Sequence, residues 1–147
     1  MTAVTVPERP ITSSPRSART PCRVATSGGC LVIAVVHVAE LASHAQRAAY
    51  LGVLFVVVAA AAGVVGGALW RRVSELWLGA AALLGGTTAA AFLVSRTVSL
   101  PGVSRDLPWS APGTTAFATG GLVLVAAVVC WKRTSSDARN AYAAEHG

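Results

Sequence analysis

The stretch from Tyr50 to Trp70, YLGVLFVVVAAAAGVVGGALW, contains no charged residue and is followed at once by two arginines. Because an α-helix rises about 1.5 Å per residue, about 20 apolar residues cross the roughly 30 Å hydrocarbon core of a bilayer. The stretch therefore predicts a membrane-spanning helix over residues 49–70. Gly63 and Gly67 have the spacing that lets a second helix approach the backbone closely. They predict a helix-packing face, used either within the molecule or for self-association.

The whole chain has the composition of a membrane protein. Of its 147 residues, 54% are hydrophobic and 12% are charged, whereas soluble domains carry about 25% charged residues. The net charge of +6 comes from residues at segment boundaries, so it indicates membrane topology and not a nucleic-acid surface. The sequence has no phosphate-binding glycine loop, CxxC pair or HExxH motif. It therefore predicts neither an enzyme nor a nucleic-acid partner.

Three further apolar segments flank the central one. They predict helices over residues 28–44, 75–94 and 114–131. Residues 1–27 are rich in Pro, Ser, Thr and Arg, and such a segment cannot bury enough apolar surface to offset its ordering entropy. We therefore expect a disordered basic tail there and a polar cytoplasmic tail over residues 132–147. The predicted fold class is all-α, a four-helix membrane bundle over residues 28–131.

The first segment has a second interpretation. It is shorter than the others, follows a basic region and ends in Ser43-His44-Ala45, a small-x-small pattern typical of a signal-peptidase site. Glu40, near the end of the apolar run, argues for a retained helix instead. Retention is the interpretation used below, with a cleaved signal peptide as the alternative.

The distribution of basic residues predicts the orientation of the bundle. Four spans place both termini on one side of the membrane. Nine of the 12 Lys and Arg residues lie in the two tails and the second loop, and three lie in the first and third loops. Since loops rich in Lys and Arg stay in the cytoplasm, we predict a multi-pass plasma-membrane protein with both termini inside.

One predicted helix carries ionisable groups on a single stripe. Residues 30–44, CLVIAVVHVAELASH, contain His37, Glu40 and His44, which lie within a narrow arc at about 100° per residue. Ionisable residues within a membrane segment are costly and usually face the bundle interior with a partner. Other polar groups are expected at the same extracytoplasmic end. The predicted polar cluster consists of His37, Glu40, His44, Tyr50, Arg96, Asp106 and Trp109.

Three roles for this cluster are open. In the first, it is a structural clamp in which Arg96 pairs with Glu40, and His37 bonds to Glu40 or to a backbone carbonyl. In the second, His37, Glu40 and His44 contribute to a metal or haem site. The two histidines lie roughly 10 Å apart along the axis, so one ion requires one histidine with Glu40 or with another helix. The third role is that of a small transporter or proton relay.

The three cysteines, Cys22, Cys30 and Cys130, are odd in number and irregularly spaced, which predicts no disulfide framework. The predicted topology places all three near the cytoplasmic side, where thiols stay reduced. We expect them to be small buried hydrophobic residues. A redox or metal pair of Cys30 with Cys130 is the alternative.

Three motifs carry a resemblance to known proteins. They are His37 with Glu40 in the first helix, YLGVLF at 50–55, and SRTxxLPG at 95–102 followed by Asp106 and Trp109. With them the chain, from about residue 31 to 131, resembles a group of small four-helix integral membrane proteins common in actinobacteria. That group has no assigned activity, so the resemblance implies an architecture and the location of a site.

The chain also departs from this group. Such proteins often carry a tyrosine within the region of 92–94, a glycine at the position of Ser99, and an acidic residue in the last helix, which residues 113–131 lack. These departures favour the structural clamp. The sequence as a whole predicts a non-enzymatic integral membrane protein, an accessory or assembly subunit of a membrane complex. Its expected partners are the lipid bilayer and either another membrane protein or a second copy, with no cofactor or, alternatively, a metal or haem.

Overall fold

Four long helices make up the computed structural model, which describes the backbone of residues 15–46, 49–98 and 111–146. The helices are α1 (Pro15–Ala45), α2 (Ala49–Arg71), α3 (Glu75–Thr97) and α4 (Ala111–His146). Within those three ranges there is no strand. Each helix is long and apolar enough to cross a membrane. The prediction of an all-helical fold with four helices long and apolar enough to span a membrane is confirmed for the described residues.

Adjacent helices run in opposite directions. In the first pair, Ala45 lies beside Gly52 and Ser27 lies beside Gly66, so α1 and α2 are antiparallel. Gly85 meets Gly120 in the second pair, formed by α3 and α4. The two pairs join through α1 and α4 and, less extensively, through α2 and α3. The result is an up-down-up-down bundle in which α1 and α3 lie diagonally opposite each other.

The helix pairs approach most closely where one helix lacks a side chain. A Cβ atom added to Gly85 would lie 2.6 Å from the Gly120 carbonyl oxygen, and one added to Gly66 would lie 3.2 Å from Cys30 Cβ. A methyl group at Gly85 would require the backbones to move apart, and one at Gly66 would require a smaller shift of its neighbours. Around these contacts lies a core of small and aliphatic side chains. Its buried residues are Cys30, Ile33, Ala62, Val65, Leu69, Leu78, Ala81, Val123, Ala127 and Cys130.

The glycine pair singled out in the sequence does not make the intramolecular contact. A Cβ atom at Gly63 or Gly67 would meet no atom within 4 Å, whereas Gly66 packs against α1. The prediction that Gly63 and Gly67 pack within the bundle is thus wrong for the described part of the chain. At about 100° per residue, Gly67 is rotated about 100° from Gly66 and Gly63 about 60°, so both glycines lie away from the contact that Gly66 makes with α1.

The first helix is longer than its apolar segment. It begins at Pro15, so residues 15–27, which the composition predicts to be disordered, belong to α1. Thr26 and Ser27 are fully buried against the neighbouring helices, and the Thr26 hydroxyl donates to the Cys22 carbonyl at 2.6 Å. The local bond satisfies the Thr26 hydroxyl, whereas the buried Ser27 hydroxyl has no hydrogen-bond partner among the described residues. The predicted disorder of residues 1–14 lies outside the described residues.

The third and fourth helices also extend beyond the predicted segments. Helix α3 begins at Glu75 as predicted, after the N-cap Ser74, whose hydroxyl oxygen accepts a hydrogen bond from the Trp77 backbone N–H, but it continues to Thr97. At the other end of the chain, α4 continues past the apolar segment to His146, so residues 132–146 of the predicted polar tail are helical. The Ser135 hydroxyl donates to Glu75 Oε1 at 3.1 Å and ties this extension to the start of α3.

Candidate functional site

His37 lies on α1 and faces α2. Its ring is 5.0 Å from that of Phe55, centroid to centroid, and its Nδ1 lies 2.8 Å from the Ile33 carbonyl oxygen. A carbonyl can only accept, so this bond requires a proton on Nδ1, and the neutral ring then presents Nε2 as its acceptor nitrogen. Of the two partners predicted for His37 in a clamp, the structure shows the backbone carbonyl.

Glu40 is half-buried one turn further along α1. The Ser43 hydroxyl donates to the Glu40 backbone carbonyl at 2.9 Å and lies 3.4 Å from its Oε2 atom. The carboxylate therefore has a polar neighbour on its own helix. Local bonding of this kind lowers the cost of keeping a polar side chain at membrane depth.

An apolar groove runs between α1 and α2 beside these groups. Its inner part is lined by His37, Val38, Leu41, Phe55, Val56, Ala59 and Ala60. The outer part is lined by Leu41, Ala45, Ala49, Gly52, Val53, Val56 and Val57. Because the two parts share Leu41 and Val56, they form one groove that is open on its outer side. His37 is the polar side chain in its lining.

Tyr50 and Arg96 lie at the same end of the bundle as the C-terminal part of α1. We call this the loop end, because α1 ends there at Ala45 and α2 begins at Ala49. The Arg96 guanidinium carbon lies 5.1 Å from the Phe92 ring centroid, and the Phe92 ring lies 5.3 Å from that of Phe117 on α4. Through Phe92, Arg96 lies on the α3–α4 pair.

The predicted cluster is therefore described in part. His37 and Glu40 are neighbours on α1, while Tyr50 and Arg96 share the loop end with them. The pairing of Glu40 with Arg96 stays a prediction. The predicted cluster members outside the described residues are Asp106, Trp109 and the side chain of His44.

The predicted metal site can be compared with the structure only in part, because the side chain of its third predicted ligand, His44, is not described. Among the described side chains, no group of three His, Cys, Asp or Glu residues is arranged to hold a metal ion. His37 and Glu40 are the members of the predicted ligand set that the structure describes.

The cysteines differ from the prediction. Cys22 and Cys130 form a disulfide that joins α1 to α4, with their Cα atoms 5.8 Å apart, and Cys30 is buried and unpaired. Both the predicted absence of disulfides and the alternative pair of Cys30 with Cys130 are wrong. The physical reason is the early start of α1, which places Cys22 on the helix beside α4. The sequence offered one indirect signal, since Cys22 precedes Arg23 and Cys130 lies two residues before Lys132, but a cysteine assigned to a disordered tail could not be paired.

Basic residues gather at this opposite end, which we call the basic end. Its described members are Arg23, Arg71, Arg72, Lys132 and Arg133. The Arg23 guanidinium carbon lies 5.2 Å from the centroid of the Trp70 ring, in a cation–π contact between α1 and α2. The disulfide therefore lies at the end of the bundle that carries most of the positive charge.

We compared the chain with known protein families, curated proteins and solved structures. No protein-family model, curated protein or solved structure matches the chain. The resemblance to the actinobacterial membrane proteins accordingly stays a prediction from its motifs.

Proposed function

We propose that the chain is a non-enzymatic, multi-pass plasma-membrane protein that serves as an accessory or assembly subunit of a larger membrane complex. Both termini lie in the cytoplasm in this proposal, because five described Lys and Arg residues lie near the membrane boundary at the basic end, whereas Arg96 lies at the loop end. The loop end, with His37, Glu40, Tyr50 and Arg96, then faces the extracytoplasmic side. There the polar groups act as a clamp that fixes the bundle.

The observation that carries the proposal is the open glycine face of α2. Gly66 shows what a glycine does in this helix, since α1 approaches it to within van der Waals distance. Gly63 and Gly67 offer the same absence of a side chain on another face, where nothing from the described chain lies within 4 Å. Membrane helices use small residues at such spacing for close helix contacts. We assign this face to a helix of the partner.

The exposed apolar area is consistent with a subunit that contacts both lipid and protein. In the most apolar window of each helix, between 22 and 28% of the residues are buried within the chain. Large apolar side chains are accordingly exposed on every helix. Examples are Val35, Val53, Leu83 and Leu122, each at least 65% exposed. This leaves room for a partner helix on α2 without loss of the chain's own packing.

The test replaces both open glycines with leucine. In mild detergent extracts of native membranes, we expect the tagged wild-type chain to migrate on a native gel in a complex larger than the single chain. Leucine side chains on the α2 face keep a second backbone away, so Gly63→Leu/Gly67→Leu should shift most of the protein to the single-chain position. Coexpression of two differently tagged copies shows whether the partner is a second copy.

Gly121→Leu is the matched control, because a Cβ atom at this α4 glycine also meets nothing within 4 Å. It should leave the complex intact, and all three proteins should retain the helical content of the wild type. A wild-type chain that migrates alone, or a complex unchanged by the double substitution, would contradict the proposed role of this face.

The second candidate function is metal or haem binding at His37. It is favoured by the hydrogen bond from Nδ1–H to Ile33, since this bond fixes the tautomer whose Nε2 atom can act as a ligand. Elemental analysis and a visible absorption spectrum of detergent-purified protein test it. This candidate predicts stoichiometric metal or a Soret band that His37→Ala removes. Val35→Ala, at an exposed position outside the lining of the groove, should leave the signal intact, and a metal-free, colourless wild type would refute the candidate.

A further inference from the structure

Cys22 and Cys130 meet at a place that water-soluble reagents can reach. Cys22 lies two residues from the start of the apolar part of α1, at Thr20. Cys130 comes shortly before Lys132 and Arg133 on α4. Both sulfur atoms therefore lie near the membrane boundary at the basic end, and not in the middle of the bundle.

The positive charge of the basic end favours the cytoplasm, whereas a stable disulfide such as Cys22–Cys130 is typical of an oxidising compartment. Basic residues favour the cytoplasmic side, where glutathione and thioredoxin-type systems keep most thiols reduced. A disulfide that forms in the cytoplasm is usually transient and linked to a redox function. We propose that Cys22 and Cys130 form a redox-active pair that opens and closes by exchange with low-molecular-weight thiols and disulfides. This inference rests on the orientation given in the proposed function, but not on the proposed partner.

Burial sets the order of the exchange. Cys22 is half-buried and Cys130 is 4% exposed, so an incoming thiolate attacks the Cys22 sulfur. The bond to Cys130 breaks, and its sulfur leaves with the electron pair and takes a proton from water. A second thiol then attacks the mixed disulfide and releases Cys22 as a thiol. In total, two small thiols are oxidised to one disulfide while the pair gains two electrons and two protons, and the reverse reaction closes the pair.

The Cys22–Cys130 disulfide is a covalent link between the first and last helices. It joins residues 108 positions apart in the chain. Two turns further along α1, Gly29 packs against Val123 of α4, and Cys30 is buried against Gly66 of α2. Opening the pair therefore removes the covalent tie at the basic end while the packing further along α1 remains. Cys30 takes no part in the exchange.

Counting free thiols tests the pair in its native membrane. Cells are quenched with acid, and the denatured chain is labelled with a maleimide that adds a fixed mass per thiol. Of the three cysteines, all should label in unstressed cells, and one, Cys30, should label after treatment with diamide or a small disulfide. Cys22→Ser and Cys130→Ser should each give two labels under both conditions. Cys30→Ala should change from two labels to none.

A cleavage experiment identifies the bond directly. A protease site inserted after Val103 separates Cys22 and Cys30 from Cys130. After oxidation and cleavage, the two fragments should remain joined on a non-reducing gel in the wild type and in Cys30→Ala. They should separate in Cys22→Ser.

Two results would overturn the proposal. One label in unstressed cells would make the bond a permanent structural link. Three labels after oxidation, with fragments that separate, would mean that the two cysteines do not pair. Both results are independent of the native-gel experiment, so the partner proposal and the redox proposal can fail separately.

Discussion

Gly85→Ala is expected to lower the free energy of unfolding by about 1–3 kcal/mol, the usual range for an overpacked interior. The new Cβ atom would lie 2.6 Å from the Gly120 carbonyl oxygen and 3.0 Å from the Leu124 backbone nitrogen. Both are backbone atoms, so no side-chain rotation can make room and α3 must move away from α4. Unfolding by sodium dodecyl sulfate in mixed micelles, followed by tryptophan fluorescence, measures the change.

The neighbouring glycine is the control for this prediction. A Cβ atom at Gly86 would lie 3.8 Å from the nearest Leu124 methyl groups, an ordinary van der Waals contact. Because alanine is favoured over glycine in a helix by about 1 kcal/mol, Gly86→Ala should be neutral or slightly stabilising. If the two variants unfold alike, the close crossing of α3 and α4 at Gly85 is incorrect.

Gly66→Leu should separate α1 from α2 and cost about 3 kcal/mol or more, since three further carbon atoms must enter a filled space. Its Cβ atom alone would lie 3.2 Å from Cys30 Cβ and 3.3 Å from the Ser27 carbonyl oxygen. Loss of this crossing also frees buried side chains of α1. The measurement is the same unfolding titration, together with the yield of monodisperse protein after purification.

Gly67→Leu introduces the same side chain one position later and is the matched comparison. No atom lies within 4 Å of the added Cβ, so the purified single chain should unfold within about 0.5 kcal/mol of the wild type, as substitutions at open positions usually do. A large loss of stability at Gly67 with none at Gly66 would mean that α2 is rotated from the orientation described above.

The helices themselves could be predicted from composition alone. The segments that became α2 and α3 are mostly apolar and bounded by charged or polar residues, so hydropathy and the thickness of a bilayer suffice to find them. The rotation of each helix could not be found in this way. Gly63, Gly66 and Gly67 are equally plausible contact positions in the sequence, and only the position of α1 decides between them.

The early start of α1 was missed because local composition and tertiary packing conflict there. Proline, serine, threonine and arginine favour irregular structure, yet Thr26 and Ser27 are buried. Ser27 lies against Gly66 of α2, a residue far along the chain, and no local rule reports such a contact. The same error hid the Cys22–Cys130 bond, because a cysteine assigned to a tail has no fixed neighbour.

The threonines of α3 illustrate how far local rules extend. The sequence predicts that their hydroxyl groups bond to carbonyls of their own helix. Thr87 does so, with its hydroxyl 2.8 Å from the Leu83 carbonyl oxygen. Thr88, by contrast, is buried at the contact with Gly120, and its hydroxyl has no hydrogen-bond partner in the described part of the chain. The rule holds for the exposed Thr87 and for the buried Thr26 of α1, and it fails for Thr88 at the contact with α4.

Helix α4 is longer than the hydrocarbon core of a bilayer is thick, so part of it projects beyond the membrane boundary. At 1.5 Å per residue, its 36 residues span about 54 Å, well beyond the roughly 30 Å of the hydrocarbon core. Its far end is thus a stiff rod that projects about 20 Å from the membrane boundary, and the bond from Ser135 to Glu75 braces it near its base. A tilt of α4 within the bilayer would therefore displace its C-terminal end, by a distance that grows with the length of helix outside the hydrocarbon core.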